Sequence, residues 1–341
     1  MLFKDYEYPV PYHDTWDIQD NSKISEAKSC LRKYFFRYIL GWTLDTPNIH
    51  LVFGRAWHEG KEYLIRHGLT YENVVEAMEL FTKVYAESFP TRELWYEKAP
   101  KDPHNALIAY KEYVDLFHQV DRYEVVDTEI AGDVQIRRRS DDSLQKLTFK
   151  IDAIVYDRDG FWILEHKTGS QDSAAWRAQW TGASQLFIYT HALYSYFPHD
   201  QIWGAKVDGT ILRKSGNLHV RIPIRKTPEQ MRAWLYDIDY FLGELDDMHM
   251  RLIDCKVTDP VMAAFPRNDN ACTDFNRPCM YHDVCWAWNN PLQRCQRPPI
   301  GFKYEWWNPK AQEEKAKAIY KDGKITRKEI ADVSGTPALR E

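Results

Sequence analysis

The spacing of apolar and polar positions changes character along the chain. Residues 1–21 show no period and read as an irregular leader. From 22 to 122 the period is helical. Ser25 reads as an N-cap for a helix to about Leu40, with Gly41 as its stop. A second helix is expected from about Phe53 to His67, closed by Gly68, and two more around 71–88 and 104–119. In the last two, Val74, Met78, Phe81 and Tyr85, then Leu107, Tyr110, Val114 and Phe117, recur three or four residues apart. After Tyr123 the pattern turns β-rich. Segments 123–131, 133–139, 146–156 and 161–167 are separated by Gly, Asp and Ser, which predicts a meander. A helix is expected at 173–196, strands at 201–208 and 218–224, and another helix after Thr227-Pro228 to about Met248. Residues 266–300 carry Pro, Asn and aromatics with no period, so something other than local propensity must order them. The tail from Pro309 is charged and expected to be helical in part.

The most informative stretch is the run Lys150–Tyr156, the turn Asp157-Arg158-Asp159-Gly160 and the run Phe161–Lys167. Two β-rich runs around a turn predict an antiparallel hairpin. With Arg158-Asp159 as the loop, Asp152 lies across from Glu165; with Asp159-Gly160 it faces Lys167. The two registers differ by two, so Asp152, Glu165 and Lys167 share one face in both. Opposed Cβ atoms lie about 4.5–5.5 Å apart, close enough for two carboxylates to grip one cation. The same face carries Ile154, Tyr156 and Ile163, so the acidic pair sits beside an apolar patch. Repulsion and lost hydration there would be offset by a divalent metal, and magnesium is held by one or two carboxylates plus waters and phosphates. Lys150 falls on this face too, and two ammonium groups side by side would lower the pKa of one of them. Glu-x-Lys alone is common; Glu26-Ala-Lys28 and Glu313-Glu-Lys315 repeat it on predicted helices.

Composition narrows the partners. Lys and Arg total 45 against 50 Asp and Glu, for a formal charge of −5 over 341 residues. That excludes a wholly basic nucleic-acid coat and requires any DNA contact to be local. The candidates are Arg137-Arg138-Arg139 on a predicted strand and Arg32, Lys33 and Arg37 on the first helix, with Trp57, Trp176 and Trp180 as rings for unpaired bases. No stretch approaches the roughly 18 apolar residues of a membrane helix, and the N-terminus lacks a signal-peptide pattern. A cytoplasmic, reduced environment is expected.

Taken singly, His58 in Gly54-x-x-x-His58 reads as a core or surface histidine, and Gln185 and Tyr189 as one edge of a helix. In order, Gly54-x-x-x-His58, Asp152, Glu165-x-Lys167 and Gln185-x-x-x-Tyr189 resemble the RecB-like branch of the PD-(D/E)XK nuclease superfamily, over roughly residues 22–290. The resemblance implies an α/β (α+β) fold: a restriction-endonuclease-like mixed central sheet flanked by helices. A helical N-terminal part (22–122) would precede the nuclease core (123–250), a Cys-bearing segment (251–300) and a charged tail (301–341). It also implies that His58, Asp152 and Glu165 hold Mg²⁺ or Mn²⁺, with the His166 carbonyl as a further ligand. Lys167 would serve the attacking water, and Gln185 and Tyr189 would position the DNA backbone or support Lys167. Glu129 sits where such nucleases often carry a strand glutamate.

The six cysteines are unevenly spread. Cys272, Cys279 and Cys285 are separated by six and five residues, without the paired Cys-x-x-Cys of zinc knuckles. One early cysteine, in Ser25-Glu-Ala-Lys-Ser-Cys30-Leu-Arg-Lys-Tyr34, plus a late trio resembles the iron–sulfur subset of these nucleases, of the AddB and CRISPR-associated RecB-like exonuclease type. The resemblance implies a 4Fe–4S cluster on Cys30, Cys272, Cys279 and Cys285, stapling residue 30 to the late segment, with Cys255 and Cys295 spare. The spacing of six departs from the spacing of two common in that subset. The expected activity is a Mg²⁺- or Mn²⁺-dependent DNA exonuclease on single-stranded ends, 5′-to-3′. The alternatives are a catalytically silent adaptor that binds DNA in recombination and a zinc-stapled RNA-binding protein. No Gly-x-x-x-x-Gly-Lys-Ser/Thr element is present, so a helicase or recombinase motor would be a separate partner.

Overall fold

The computed structural model describes residues 3–327 apart from 275–276, 312, 314–315, 317 and 322–323. A two-residue strand β1 (Gln19–Asp20) leads into helix α1 (Asn21–Ser29). Asp20, not Ser25, caps this helix, its Oδ1 accepting from the Lys23 N–H at 2.9 Å. The helix does not run on to Leu40. Cys30 is extended (φ −160°, ψ 115°), and a new start, α2 (Leu31–Tyr34), passes into a π-turn over Phe35–Ile39. The break has a tertiary cause: the Arg32 N–H donates to the Pro266 carbonyl at 3.0 Å. Strand β2 (Trp42–Leu44) follows, then α3 (Ile49–His67), α4 (Tyr71–Ala86), α5 (Arg92–Glu97) and α6 (Pro103–Phe117). The α3, α4 and α6 faces bury Phe53, Trp57, Phe81, Tyr85 and Tyr110 in one aromatic core.

The sheet begins with β3 (Glu124–Arg137), β4 (Leu144–Asp157) and β5 (Gly160–Gly169). The turn is Arg158-Asp159, with Asp157 paired to Gly160 and Ala153 to Leu164. Gly160 has φ +122°, and a Cβ there would lie 2.2 Å from the Gln201 carbonyl oxygen, so this turn requires glycine. Strand β3 is continuous where two strands were expected. The remaining elements are α7 (Ala174–Ala178), α8 (Ser184–Tyr194), β6 (Ile202–Ile211), β7 (Leu218–Ile224), α9 (Pro228–Asp254), α10 (His282–Ala287), β8 (Phe302–Tyr304), β9 (Ala318–Lys321) and β10 (Lys324–Arg327). The single helix expected at 173–196 is split into α7 and α8 by a 3₁₀ turn at Gln179–Thr181, followed by Gly182 and an extended Ala183. Lys226 donates to the Thr181 carbonyl and pins the split.

Strand order is β10-β9-β3-β4-β5-β6-β7, with β1 also paired to β4 and β5–β6 parallel. The fold is thus a mixed central sheet flanked by helices, consistent with the restriction-endonuclease-like class. Alternation sends Ile154 and Ile163 toward α8 and α9, and Ala153, Val155, Trp162 and Leu164 toward Ile65 of α3. The tail has helical residues at Ala311 and Glu313, as the sequence reading allows, but it also adds β9 and β10 to the sheet, which that reading does not anticipate. Strand β9 pairs in parallel with β3, satisfying backbone groups that an edge strand would leave open. Gly132 permits this approach, since a Cβ there would meet the Tyr320 carbonyl oxygen at 2.5 Å. The expectation for 328–341 lies outside the described residues. No helix among the described residues is long and apolar enough to cross a membrane.

Candidate active site

The β4–β5 hairpin, α3 and α8 bring Asp152, Glu165, Lys167, His58, Gln185 and Tyr189 into one cluster. Asp152 is held at both oxygens: Oδ1 lies 3.1 Å from His58 Nδ1, and Oδ2 accepts from the His166 N–H at 2.8 Å. The Lys167 ammonium lies 2.6 Å from Glu165 Oε1 and donates to Gln185 Oε1 at 2.9 Å. The Gln185 amide donates to Glu165 Oε1 at 2.9 Å and to the Tyr189 hydroxyl at 2.7 Å. Tyr189 in turn donates to the Lys150 carbonyl. Spacing of four on α8 thus becomes a relay from backbone to lysine.

Burial and charge set the protonation states. Burial opposes the Asp152 carboxylate, but His58, His166 and Lys167 outweigh it and hold Asp152 well below the usual carboxylate range. Burial, reinforced by Asp152, pushes Glu165 up to about 7. Burial also opposes charge on His58 and on Lys167, yet their carboxylate neighbours prevail and raise both. Lys150 corrects the expected crowding of ammonium groups. It faces Glu129 rather than Lys167, and that pairing raises its pKa despite burial.

Glu129 enters the site in an unusual way. It sits inside β3 between the pairs Thr128–Ala153 and Ile130–Ile151, yet its φ is +51°. A non-glycine residue in this region costs about 1–3 kcal/mol, and such strain concentrates at functional sites. His58, Glu129 and Asp152 each bring a ligand atom within 4.8 Å of the others. Glu165 Oε2 is buried with no hydrogen-bond partner among the described residues, a state that costs about 1–3 kcal/mol while it persists. Carboxylates, one imidazole and an orphaned oxygen form a donor set suited to Mg²⁺ or Mn²⁺, so the residues present fit a divalent cation. The His166 ring is turned elsewhere, its Nδ1 lying 3.1 Å from Asp208 Oδ2.

Sequence reasoning missed the groups behind the cluster: Lys61, Tyr113, Asp208 and Arg221. The available signal was an acidic residue, Asp208, at the end of the predicted strand 201–208 next to the apolar Val207. Several expected DNA contacts are also corrected. Arg32 is buried and donates to the Phe265 carbonyl at 2.8 Å. Arg138 is buried between Asp239 and Asp246, and Trp57 is a core ring stacked 4.2 Å from Tyr110. Trp176 and Trp180 remain half-buried, with the Trp180 ring centroid 5.6 Å from the Lys167 ammonium.

Cys30, Cys272, Cys279 and Cys285 line one small cavity, and all six cysteines are free thiols. The Asn268 N–H donates to Cys30 Sγ at 3.4 Å, and its side-chain amide donates to the Ser29 carbonyl at 2.8 Å. Burial raises the thiols of Cys279 and Cys285, opposed by Lys33 at the first and by Arg32 and Arg267 at the second. Cys255 and Cys295 lie apart from the cavity lining, their thiols donating to the carbonyls of Arg251 and Leu292. The four thiols thus share one lining, with Lys33 beside Cys279 and Arg32 and Arg267 beside Cys285.

No curated protein matches the sequence. Among solved structures, the crystal structure of SSO0001 is similar at 14% identity over 65% of this chain and 82% of that one. Its TM-score of 0.26 is too low to carry any argument. Residues 21–286 match the PD-(D/E)XK nuclease superfamily. That span covers well over half of the sequence, so the chain belongs to the PD-(D/E)XK nuclease superfamily, whose members are metal-dependent nucleases.

Proposed function

We propose that this chain is a Mg²⁺- or Mn²⁺-dependent DNA exonuclease of the RecB-like branch. It acts on single-stranded ends with 5′-to-3′ polarity, in recombination, repair or DNA processing. The observation that carries this reading is Glu165 Oε2, buried and unpartnered beside Asp152 and the paired Lys167. Asp152, Glu165 and His58 would hold the cation, joined by Glu129 and the His166 carbonyl. A bound divalent cation supplies Lewis-acid charge at the scissile phosphate and activates water. Lys167, kept charged by Glu165, acts as a donor that orients the attacking water and faces the phosphate, not as a base. Gln185 fixes the Lys167 ammonium, and Tyr189 fixes Gln185. Trp176 and Trp180 offer ring faces to unpaired bases next to Lys167.

For the cysteine cavity we propose a 4Fe–4S cluster on Cys30, Cys272, Cys279 and Cys285 that acts as a staple between the early and late segments. Four thiolates meet the ligand requirement of such a cluster, and Arg32, Lys33 and Arg267 would offset its negative charge. Any helicase or recombinase motor would be a partner chain. Digestion of 5′- and 3′-end-labelled single- and double-stranded DNA with Mg²⁺ or Mn²⁺ tests the activity. Mononucleotides released first from the 5′ end of single strands are expected. Binding of DNA without metal-dependent cleavage would replace the nuclease reading with the silent adaptor.

A further inference from the structure

Asp208 on β6 lies beside His166 in the parallel β5–β6 register and is 2% exposed. Its oxygens take donors from four elements. Oδ2 accepts from Lys61 Nζ on α3 at 2.9 Å, from the Tyr113 hydroxyl on α6 at 2.8 Å, and faces His166 Nδ1 at 3.1 Å. Oδ1 accepts from Arg221 Nε on β7 at 3.2 Å. Arg221 is braced in turn by Asp121 and by the Tyr113 hydroxyl at 2.6 Å.

This buried cluster reaches Asp152 by two routes. Lys61 stands one turn beyond His58 on α3, so anchoring Lys61 sets the rotation and depth of the helix that aims His58 at Asp152 Oδ1. His166 gives its ring to Asp208 and its backbone N–H to Asp152 Oδ2, so anchoring the ring sets that backbone. Both oxygens of Asp152 are therefore placed by elements, α3 and β5, that are each anchored on Asp208. We propose that Asp208, with Lys61 and Arg221, is a positioning hub that holds Asp152 in its cation-binding geometry. The proposal rests on the reading of Asp152 as a metal-holding carboxylate.

A purely structural role makes a different forecast. Replacing a buried ion pair with apolar residues of similar volume is often neutral or stabilising. The double variant Lys61→Met/Asp208→Leu should then behave as wild type, whereas a hub should leave it folded and defective. Mn²⁺ binding to the full chain, measured by calorimetry and electron paramagnetic resonance alongside thermal unfolding, separates the two. Expected are binding about 10–100-fold weaker in both Asp208→Asn and the double variant, and a smaller loss in Tyr113→Phe. The double variant leaves Arg221 paired with Asp121, so it carries the test even where Asp208→Asn does not fold. Wild-type Mn²⁺ affinity in the folded double variant overturns the hub. Asp152→Asn is the separate control: if it binds Mn²⁺ as wild type does, the reading of the metal site fails on its own.

Discussion

The cluster around Asp152 and the cavity around Cys30 are both buried and polar, yet they are held together in opposite ways. Around Asp152 nearly every charge already has a partner, and the partners sit on paired strands and packed helices. Around Cys30 the thiols bond chiefly to one loop residue, Asn268. The walls there are a helix break, short turns and the six-residue α10. Regular structure can carry a charged site unaided, because period two fixes which side chains share a face. A pocket assembled from irregular segments more than 200 positions apart has no such ladder; side-chain packing such as Phe36 against Tyr281 joins its walls, and the proposed cluster would add a cross-link.

The strongest way to break this contrast is to remove one charge from the first region. Asp152→Asn or Lys167→Met should lower metal-dependent DNA degradation by about 100–1,000-fold. Thermal unfolding should shift by only a few degrees, and any bound iron should be unchanged. Near-wild-type turnover in either variant would remove these residues from the proposed chemistry. The second region should fail differently. Protein purified without oxygen should be brown, and Cys279→Ser should lose both its iron and about 3–5 kcal/mol of stability, as expected for a cross-link closing so long a loop. Stoichiometric zinc without iron, or an unchanged unfolding midpoint in Cys279→Ser, would refute the staple.

The same contrast explains what could be read from the residues alone. Period two in 150–167 placed Asp152, Glu165 and Lys167 on one face whichever turn closed the hairpin, and a spacing of four put Gln185 beside Tyr189. Those are local rules, and the structure obeys them. The break at Cys30 is imposed by Pro266, far along the chain, and the strands in the charged tail form because β3 offers an edge. The positive φ of Glu129 has no sequence signature. Lys61, Tyr113, Asp208 and Arg221 escaped notice because each is ordinary by itself and becomes a cluster only when the sheet and helices close. The Arg32 and Arg138 assignments failed for the converse reason: a basic residue in a local pattern does not reveal the carbonyl or carboxylates that bury it.

A smaller effect with opposite signs in the two regions completes the comparison. In the metal-free protein, burial raises Glu165 from 4.5 to about 7. A raised folded pKa gives stability that is full below about pH 4.5 and lost as pH rises through about 7. His249 belongs to the aromatic packing near the cysteines, stacked 3.7 Å from Phe3, with both ring nitrogens unpartnered among the described residues. Burial lowers it from 6.5 to about 3, so its stability is present above pH 6.5 and lost as pH falls toward 3. Each limb has a slope of at most about 1.4 kcal/mol per pH unit. The two slopes oppose each other between pH 4.5 and 6.5, so denaturant midpoints measured with a chelator should hold a plateau there and fall on either side of it. Glu165→Gln should turn the plateau into a rise and remove the decline toward pH 7, while His249→Phe should turn it into a decline and remove the acid limb. Added Mn²⁺ should invert the first limb, because the cation competes with the Glu165 proton and binds more tightly as pH rises. An acid limb that persists unchanged in His249→Phe would show that the second region loses stability for another reason, and the opposition of the two regions would no longer hold.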